Sequence, residues 1–234
     1  MNDIQLILGD SLEFMKQMPN DSVDLIVTDP PYDVAIGHKG GSLNNPEKRW
    51  AETVQIIDDE NLNKGYDIEL FGNEFIRIMK DINIYLWCNK TQIPKYFDFY
   101  VTKHKCKFEF LHFIKNNCLP NYNNKYCSDT EYCLYFRKGT NKCQPKSYDD
   151  AKTYYFAPIN QKDKKRWNHP TIKPYEFVEK MIRNSSKEGQ IVFDPFMGSG
   201  TTAVACKKNN RAFLGVEIKK EYLNIAKERV RLGE

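Results

Sequence analysis

Asp194-Pro195-Phe196-Met197-Gly198-Ser199-Gly200-Thr201-Thr202-Ala203 follows a short apolar run at 191–193 and leads into helical spacing at 201–208. A glycine-rich turn between a strand and a helix is where a Rossmann-like sheet brings its backbone close to a ligand, and the two glycines allow a tight turn without a Cβ clash. Gly198-x-Gly200-x-x-Ala203 also fits the dinucleotide pattern, and Glu217 ends the next apolar run, at 213–216, about where an acid accepts from ribose hydroxyls. No Walker lysine follows the glycines, which excludes a P-loop. The stretch after Glu217 is too short for the remaining strands of a nicotinamide dinucleotide half-domain, so those strands are expected earlier in the chain.

Working outward, apolar runs at 4–8, 23–27 and 82–88 predict strands, and helical spacing appears at 11–18, 71–80 and 91–102. If 4–8 lies beside 213–216, the chain forms one α/β domain over 1–234: a Rossmann-like, doubly wound, mostly parallel sheet with circularly permuted order. Runs at 108–114 and 131–136 are expected to pair as an antiparallel edge. Pro174 opens a helix with Phe177, Val178, Met181 and Ile182 on one face, and 220–231 is the last helix. Between these, about 33–71 loses periodicity and carries Gly37, Gly40, Gly41 and Pro46, predicting a flexible loop. Segment 140–168 reads as a small insertion, with seven basic residues against three acidic ones and interleaved Tyr148, Tyr154, Tyr155, Phe156 and Trp167.

Composition narrows the functional classes. The chain has 234 residues, with 35 Lys plus Arg against 31 Asp plus Glu, so a net charge of +4 excludes a binder driven by a strongly basic tail. No apolar stretch reaches the roughly 18–20 residues of a membrane span, and the first residues lack a signal-peptide pattern, so a soluble cytoplasmic protein with no membrane partner is expected. The seven cysteines form no Cys-x-x-Cys pair; they are read as reduced, and no metal site is expected.

Asp29-Pro30-Pro31-Tyr32 ends the 23–27 strand. Each residue before a proline is pushed out of the helical region, and neither proline has an N–H, so the turn is a rigid row of acceptors. The Asp29 carboxylate and the Pro30 carbonyl can accept the two hydrogens of an exocyclic amine, while Tyr32 offers a stacking face for a flat heterocycle.

Three motifs in order, Asp29-Pro30-Pro31-Tyr32, His169-Pro170-Thr171-Ile172-Lys173-Pro174 and the Asp194 to Thr202 turn, make the chain resemble the S-adenosylmethionine-dependent DNA amino-methyltransferases of the permuted β class. The resemblance spans most of the chain apart from 33–71 and 140–168. It implies that Asp29, Pro30, Pro31 and Tyr32 are catalytic. Asp194, Phe196, Gly198, Ser199, Gly200 and Thr201 would hold the methionine part of the cofactor, Glu217 its ribose and Asp10 its adenine amine. His169, Thr171 and Lys173 would lie beside the cofactor, Lys173 neutralising its carboxylate.

The implied reaction is direct transfer of a sulfonium methyl to the N6 amine of an adenine flipped out of double-stranded DNA, because a paired amine is out of reach. Asp at the first position of the tetrapeptide favours adenine in this family; cytosine N4 is the alternative, and an inactive nucleic-acid-binding protein is the reading from another class. Lys39 in the loop and Lys164, Lys165 and Arg166 in the insertion are candidate DNA contacts. A homodimer, a cognate restriction endonuclease, and a bacterial or phage-infected cell complete the expectations.

Overall fold

The computed structural model describes residues 3–33, 65–118, 120, 124, 126–140, 143–169 and 171–234. Lys39 and most of the loop expected at 33–71 lie outside the described residues. Eight strands are described: β1 (Ile4–Leu8), β2 (Leu25–Thr28), β3 (Asn83–Cys88), β4 (Lys107–Lys115), β5 (Thr130–Arg137), β6 (Tyr154–Ala157), β7 (Ile191–Asp194) and β8 (Ala212–Glu217). They form one sheet in the order β1-β8-β7-β2-β3-β5-β4-β6. Within it β5 alone runs against the others. The permuted closure is present, with β1 parallel to β8 from Ile4↔Phe213 to Leu8↔Glu217. The antiparallel β4–β5 pair forms as expected, but segment 140–168 adds β6 outside it, parallel to β4.

Strand alternation sends successive side chains to opposite faces, and helices cover both. On one face Leu25, Val27, Tyr85, Trp87 and Cys133 meet three helices. These are α6 (Tyr175–Ser185), α7 (Thr201–Lys208) and α8 (Lys220–Leu232). On the other, Ile26, Ile84, Leu86, Leu134 and Phe136 meet Met15, Phe75, Ile78 and Tyr100. Those last residues come from α1 (Ser11–Gln17), α2 (Ile68–Ile78), and the short α3 (Ile93–Tyr96), which runs on into a π-helix, Phe97–Lys103. The helix expected at 91–102 is therefore present in place but divided. Its wider second half brings Phe97 against Phe108 and Phe110 of β4. Segment 140–168 also contains the short helices α4 (Tyr148–Ala151) and α5 (Gln161–Trp167). No helix among the described residues is long and apolar enough to cross a membrane.

The amino-terminal end of the sheet is held by a buried polar network. Asn83, 1% exposed, donates to the carbonyls of Asp24 and Ser185, both at 2.9 Å, and accepts from the Tyr135 hydroxyl at 2.9 Å. Ser185 also pairs with the Tyr85 hydroxyl at 2.8 Å, so the end of α6 is fixed to β2, β3 and β5 together. Buried polar groups left without partners each cost about 1–3 kcal/mol. Asn83→Ala is therefore expected to lower unfolding free energy by about 3 kcal/mol, read as a fall in the urea midpoint at unchanged slope.

Candidate active site

The carboxyl ends of β1, β8, β7 and β2 are neighbours along one edge of the sheet. At adjacent strands about 4.8 Å apart, that edge presents in sequence Asp10, Glu217, the glycine turn and the Asp29–Tyr32 turn. Residues from the two ends of the chain thus share one short front.

Asp194 joins the glycine turn to the end of β2, from which the Asp29–Tyr32 turn starts. Its carboxylate is 3% exposed and accepts from the Thr28 hydroxyl at 2.7 Å, the Thr202 hydroxyl at 2.8 Å and the Phe196 N–H at 3.2 Å. Burial pushes its carboxyl up to about 7, against the pull of those donors. The turn it supports needs its glycines, because Gly198 and Gly200 have φ of +53° and +79°. A Cβ on Gly200 would stand 2.7 Å from the Cβ of Ala226, so this glycine lets the turn sit directly on α8. Glu217 closes the turn from β8, accepting from the Gly198 N–H at 2.8 Å and the Lys219 N–H at 2.9 Å. Phe196 turns to the other face of the sheet, stacked on Phe71 with ring centroids 5.4 Å apart.

Around Asp29 the geometry differs from a bare row of acceptors. The Tyr32 hydroxyl donates to Asp29 Oδ1 at 2.8 Å, and Lys173 Nζ lies 2.9 Å from Asp29 Oδ2. Lys173 also pairs with Glu131 of β5 at 3.1 Å, and Glu131 with Lys115 of β4 at 3.0 Å. Lys173 stands over the rings of Trp87 and Tyr32 as well. Burial pushes the Asp29 carboxyl up, with Lys173 and Tyr32 pulling against it. For Glu131, Lys173 and Lys115 outweigh burial and hold the carboxyl at about 2. Lys173, expected beside the cofactor's carboxylate, lies against Asp29 and Tyr32. Among the described residues no donor reaches the Pro30 carbonyl, whereas the Pro31 carbonyl accepts from Gln92 Nε2 at 3.1 Å. Asn89 and Thr91 donate to the Asp33 carbonyl at 2.9 and 2.8 Å, so the turn after β3 fixes the tetrapeptide from below.

His169 is buried over Gly198, its ring 4.3 Å from that of Tyr222, and its Nδ1 accepts from the Thr171 N–H at 3.3 Å. Burial, with Arg229 and Lys164 nearby, lowers its pKa to about 3, so the imidazole is neutral. Asp10 is exposed and caps α1 through the Glu13 N–H at 3.0 Å. Of the basic trio on α5, Lys164 faces the Asp29–Glu131–Lys173 group, Lys165 is exposed, and Arg166 pairs with Glu234 at 2.5 Å. Sequence reading misses Glu131, Lys115, Gln92 and Arg229. Arg229 is 1% exposed and donates to the Ser199 carbonyl at 2.9 Å, the Ser199 hydroxyl at 3.0 Å and the Thr201 hydroxyl at 2.9 Å. Its signal was present: a charge three residues after Ala226 and six after Leu223, on the apolar face of the last helix.

Residues 23–228 match the family profile described as DNA methylase, of the N6/N4 type. The chain belongs to this DNA methylase family. Over 250 residues the methylase is 29% identical to type II methyltransferase M2.DpnII of Streptococcus pneumoniae, covering 98% of this chain and 90% of that protein. It is 30% identical to type II methyltransferase M.HpaI of Haemophilus parainfluenzae, covering 97% of this chain and 74% of the other. Among solved structures, the M1.HpyAVI–SAM complex superposes with a TM-score of 0.69 at 26% identity, covering 97% of this chain and 98% of that one.

The geometry of the methylase generates two expectations. Arg229→Met leaves three buried acceptors of the glycine turn unpaired, so faster amide exchange at Gly198 and Gly200 and a lower melting temperature are expected. Asp194 is the folded chain's extra proton site between its ordinary carboxyl range and about 7, so stability falls as pH rises through that window. In urea denaturation at stepped pH, wild type should lose stability relative to Asp194→Asn from about pH 4 to about pH 7.

Proposed function

We propose that the methylase transfers the methyl group of S-adenosylmethionine to the N6 amine of an adenine flipped out of duplex DNA. The observation that carries this reading is the juxtaposition, through the Thr28–Asp194 hydrogen bond of 2.7 Å, of an acceptor-bearing turn and a glycine turn on one sheet edge. The edge fits the cofactor. Backbone N–H groups and two glycines form a concave turn, Glu217 and Asp10 supply acceptors, and exposed Leu8 and Ile218 offer apolar surface for a flat ring beside them. When bound, the cofactor supplies an electrophilic methyl group on a sulfonium.

The protein's part is orientation and charge. Gly198, Ser199, Gly200 and Thr201, supported by Asp194 and Phe196, form the cradle for the methionine end. Glu217 accepts from ribose hydroxyls, Asp10 from the adenine amine, and neutral His169 with Thr171 closes the side over Gly198. An aromatic amine is a poor nucleophile because its lone pair is delocalised into the ring. Asp29 and the Pro30 carbonyl accept its two hydrogens and draw the nitrogen toward tetrahedral geometry; these bonds strengthen as positive charge develops there. A carboxylate has about four lone-pair sites, so Asp29 can receive the amine while keeping Tyr32 and Lys173. The Tyr32 ring stacks on the flipped base, and Pro31, held by Gln92, keeps the turn rigid.

Segment 140–168 serves as the target-recognition insertion, with Lys164 toward the base and Lys165 and Arg166 toward phosphates. A short recognition site, a dimer on duplex DNA and a partner endonuclease complete the proposal. The test is transfer of labelled methyl to unmethylated DNA by wild type and Asp29→Ala, followed by nucleoside analysis. N6-methyladenine from wild type, reduced at least about 10²–10³-fold in Asp29→Ala, is the expected result. N4-methylcytosine would overturn the base assignment, and no incorporation despite bound cofactor would overturn the activity.

A further inference from the structure

A salt bridge to the catalytic carboxylate poses a chemical problem that the arrangement around it resolves. Lys173 Nζ is 2.9 Å from Asp29, and a cation held there opposes the positive charge that must build on the target nitrogen. Removing the cation is no remedy, because burial raises the Asp29 carboxyl and Lys173 is the strongest influence opposing that rise. The ammonium is shared: Glu131 also holds it at 3.1 Å, the Tyr32 hydroxyl lies 3.1 Å away, and Lys115 in turn pairs with Glu131 at 3.0 Å. The Lys173 side chain is only 11% exposed, so water screens little of this exchange.

We propose that Glu131 is a positioning residue for methyl transfer, holding the Lys173 ammonium between two carboxylates so that the cation which keeps Asp29 ionised does not also neutralise the charge that Asp29 offers the target amine. The proposal rests on Asp29 being the acceptor of that amine. Glu131 itself stands on β5, separated from β2 by β3, and its side-chain partners among the described residues are Lys173 and Lys115. Its influence therefore runs through Lys173. Asp29 is also faced by Cys88 of β3, Cys133 of β5, Asp194 of β7 and Lys164 of α5. Among the described residues the side chains that bond to Asp29 directly are Lys173 and Tyr32, and of these two Lys173 brings a full charge.

Two readouts test this. The first is the titration midpoint of the Asp29 carboxyl, followed by ¹³C NMR in the protein without DNA. The second is the pH dependence of kcat and kcat/KM for methyl transfer. In Glu131→Gln the ammonium binds Asp29 alone, so the midpoint should fall. At the same time kcat should drop at least about tenfold, with cofactor affinity within about twofold of wild type. In Lys173→Met the midpoint should rise, and the acid limb of kcat/KM should move to higher pH with it. Glu131→Asp, which keeps the charge one methylene further back, should restore part of the lost kcat; if Glu131→Gln does not fold, this variant must still show a lowered midpoint and reduced kcat. Wild-type turnover in the Glu131 variants, or both substitutions moving Asp29 in the same direction, would overturn the proposal. So would a loss of cofactor affinity with kcat unchanged. If wild type itself methylates no DNA, the functional reading fails, while the NMR midpoints still decide whether the ammonium is shared.

Discussion

The carboxylate of Asp194 is the fastening on which the rest of the front edge depends. Burying a carboxylate is costly unless donors surround it. Here one hydroxyl comes from the end of β2, one from the first turn of α7 and one N–H from the glycine turn itself. Because all three converge on one side chain, the distance between the Asp29–Tyr32 turn and the glycine turn is set inside the core. Where two groups must react, small displacements between them cost large factors in rate. Arg229 does a related job from beneath, tying the same turn to the last helix.

Much of this fold is legible in the sequence because its signals are local. Continuous apolar runs, each followed by helical spacing, mark β1, β2, β3, β7 and β8. The order of the motifs, with the glycine turn after the Asp29–Tyr32 turn, suits a permuted sheet in which β1 and β8 adjoin, as they do. What escapes is what local pattern does not encode. Strand β6 has four residues, with Tyr154 and Phe156 largely outward, and lies in a segment dominated by lysines. It is a strand only because β4 offers an edge for pairing. Likewise the π-helix at Phe97–Lys103 keeps an apolar spacing close to that of an ordinary helix, and its widening answers to the phenylalanines of β4.

For the site, the same division holds. The turns that carry chemistry announce themselves through prolines and glycines, whose backbone restrictions belong to the residue itself. Their partners do not. Glu131 and Lys115 read as ordinary charged positions near the ends of strands, and Gln92 as a helix-leading polar residue, until the sheet brings them to the tetrapeptide. Lys173 is legible as functional from its motif, yet its neighbours in space, rather than in sequence, determine which half of the site it joins.

The pairing of β1 with β8 also governs how the molecule comes into being. Strand β1 must wait for β8, its sheet neighbour among the described residues, which lies far along the sequence. Strand β2 obtains β3 soon, but its other neighbour, β7, arrives late. Closing such distant contacts costs loop entropy before any burial rewards it, so assembly of this edge is intrinsically slow. The Asp29–Tyr32 turn and the glycine turn are consequently brought together only when these distant contacts close.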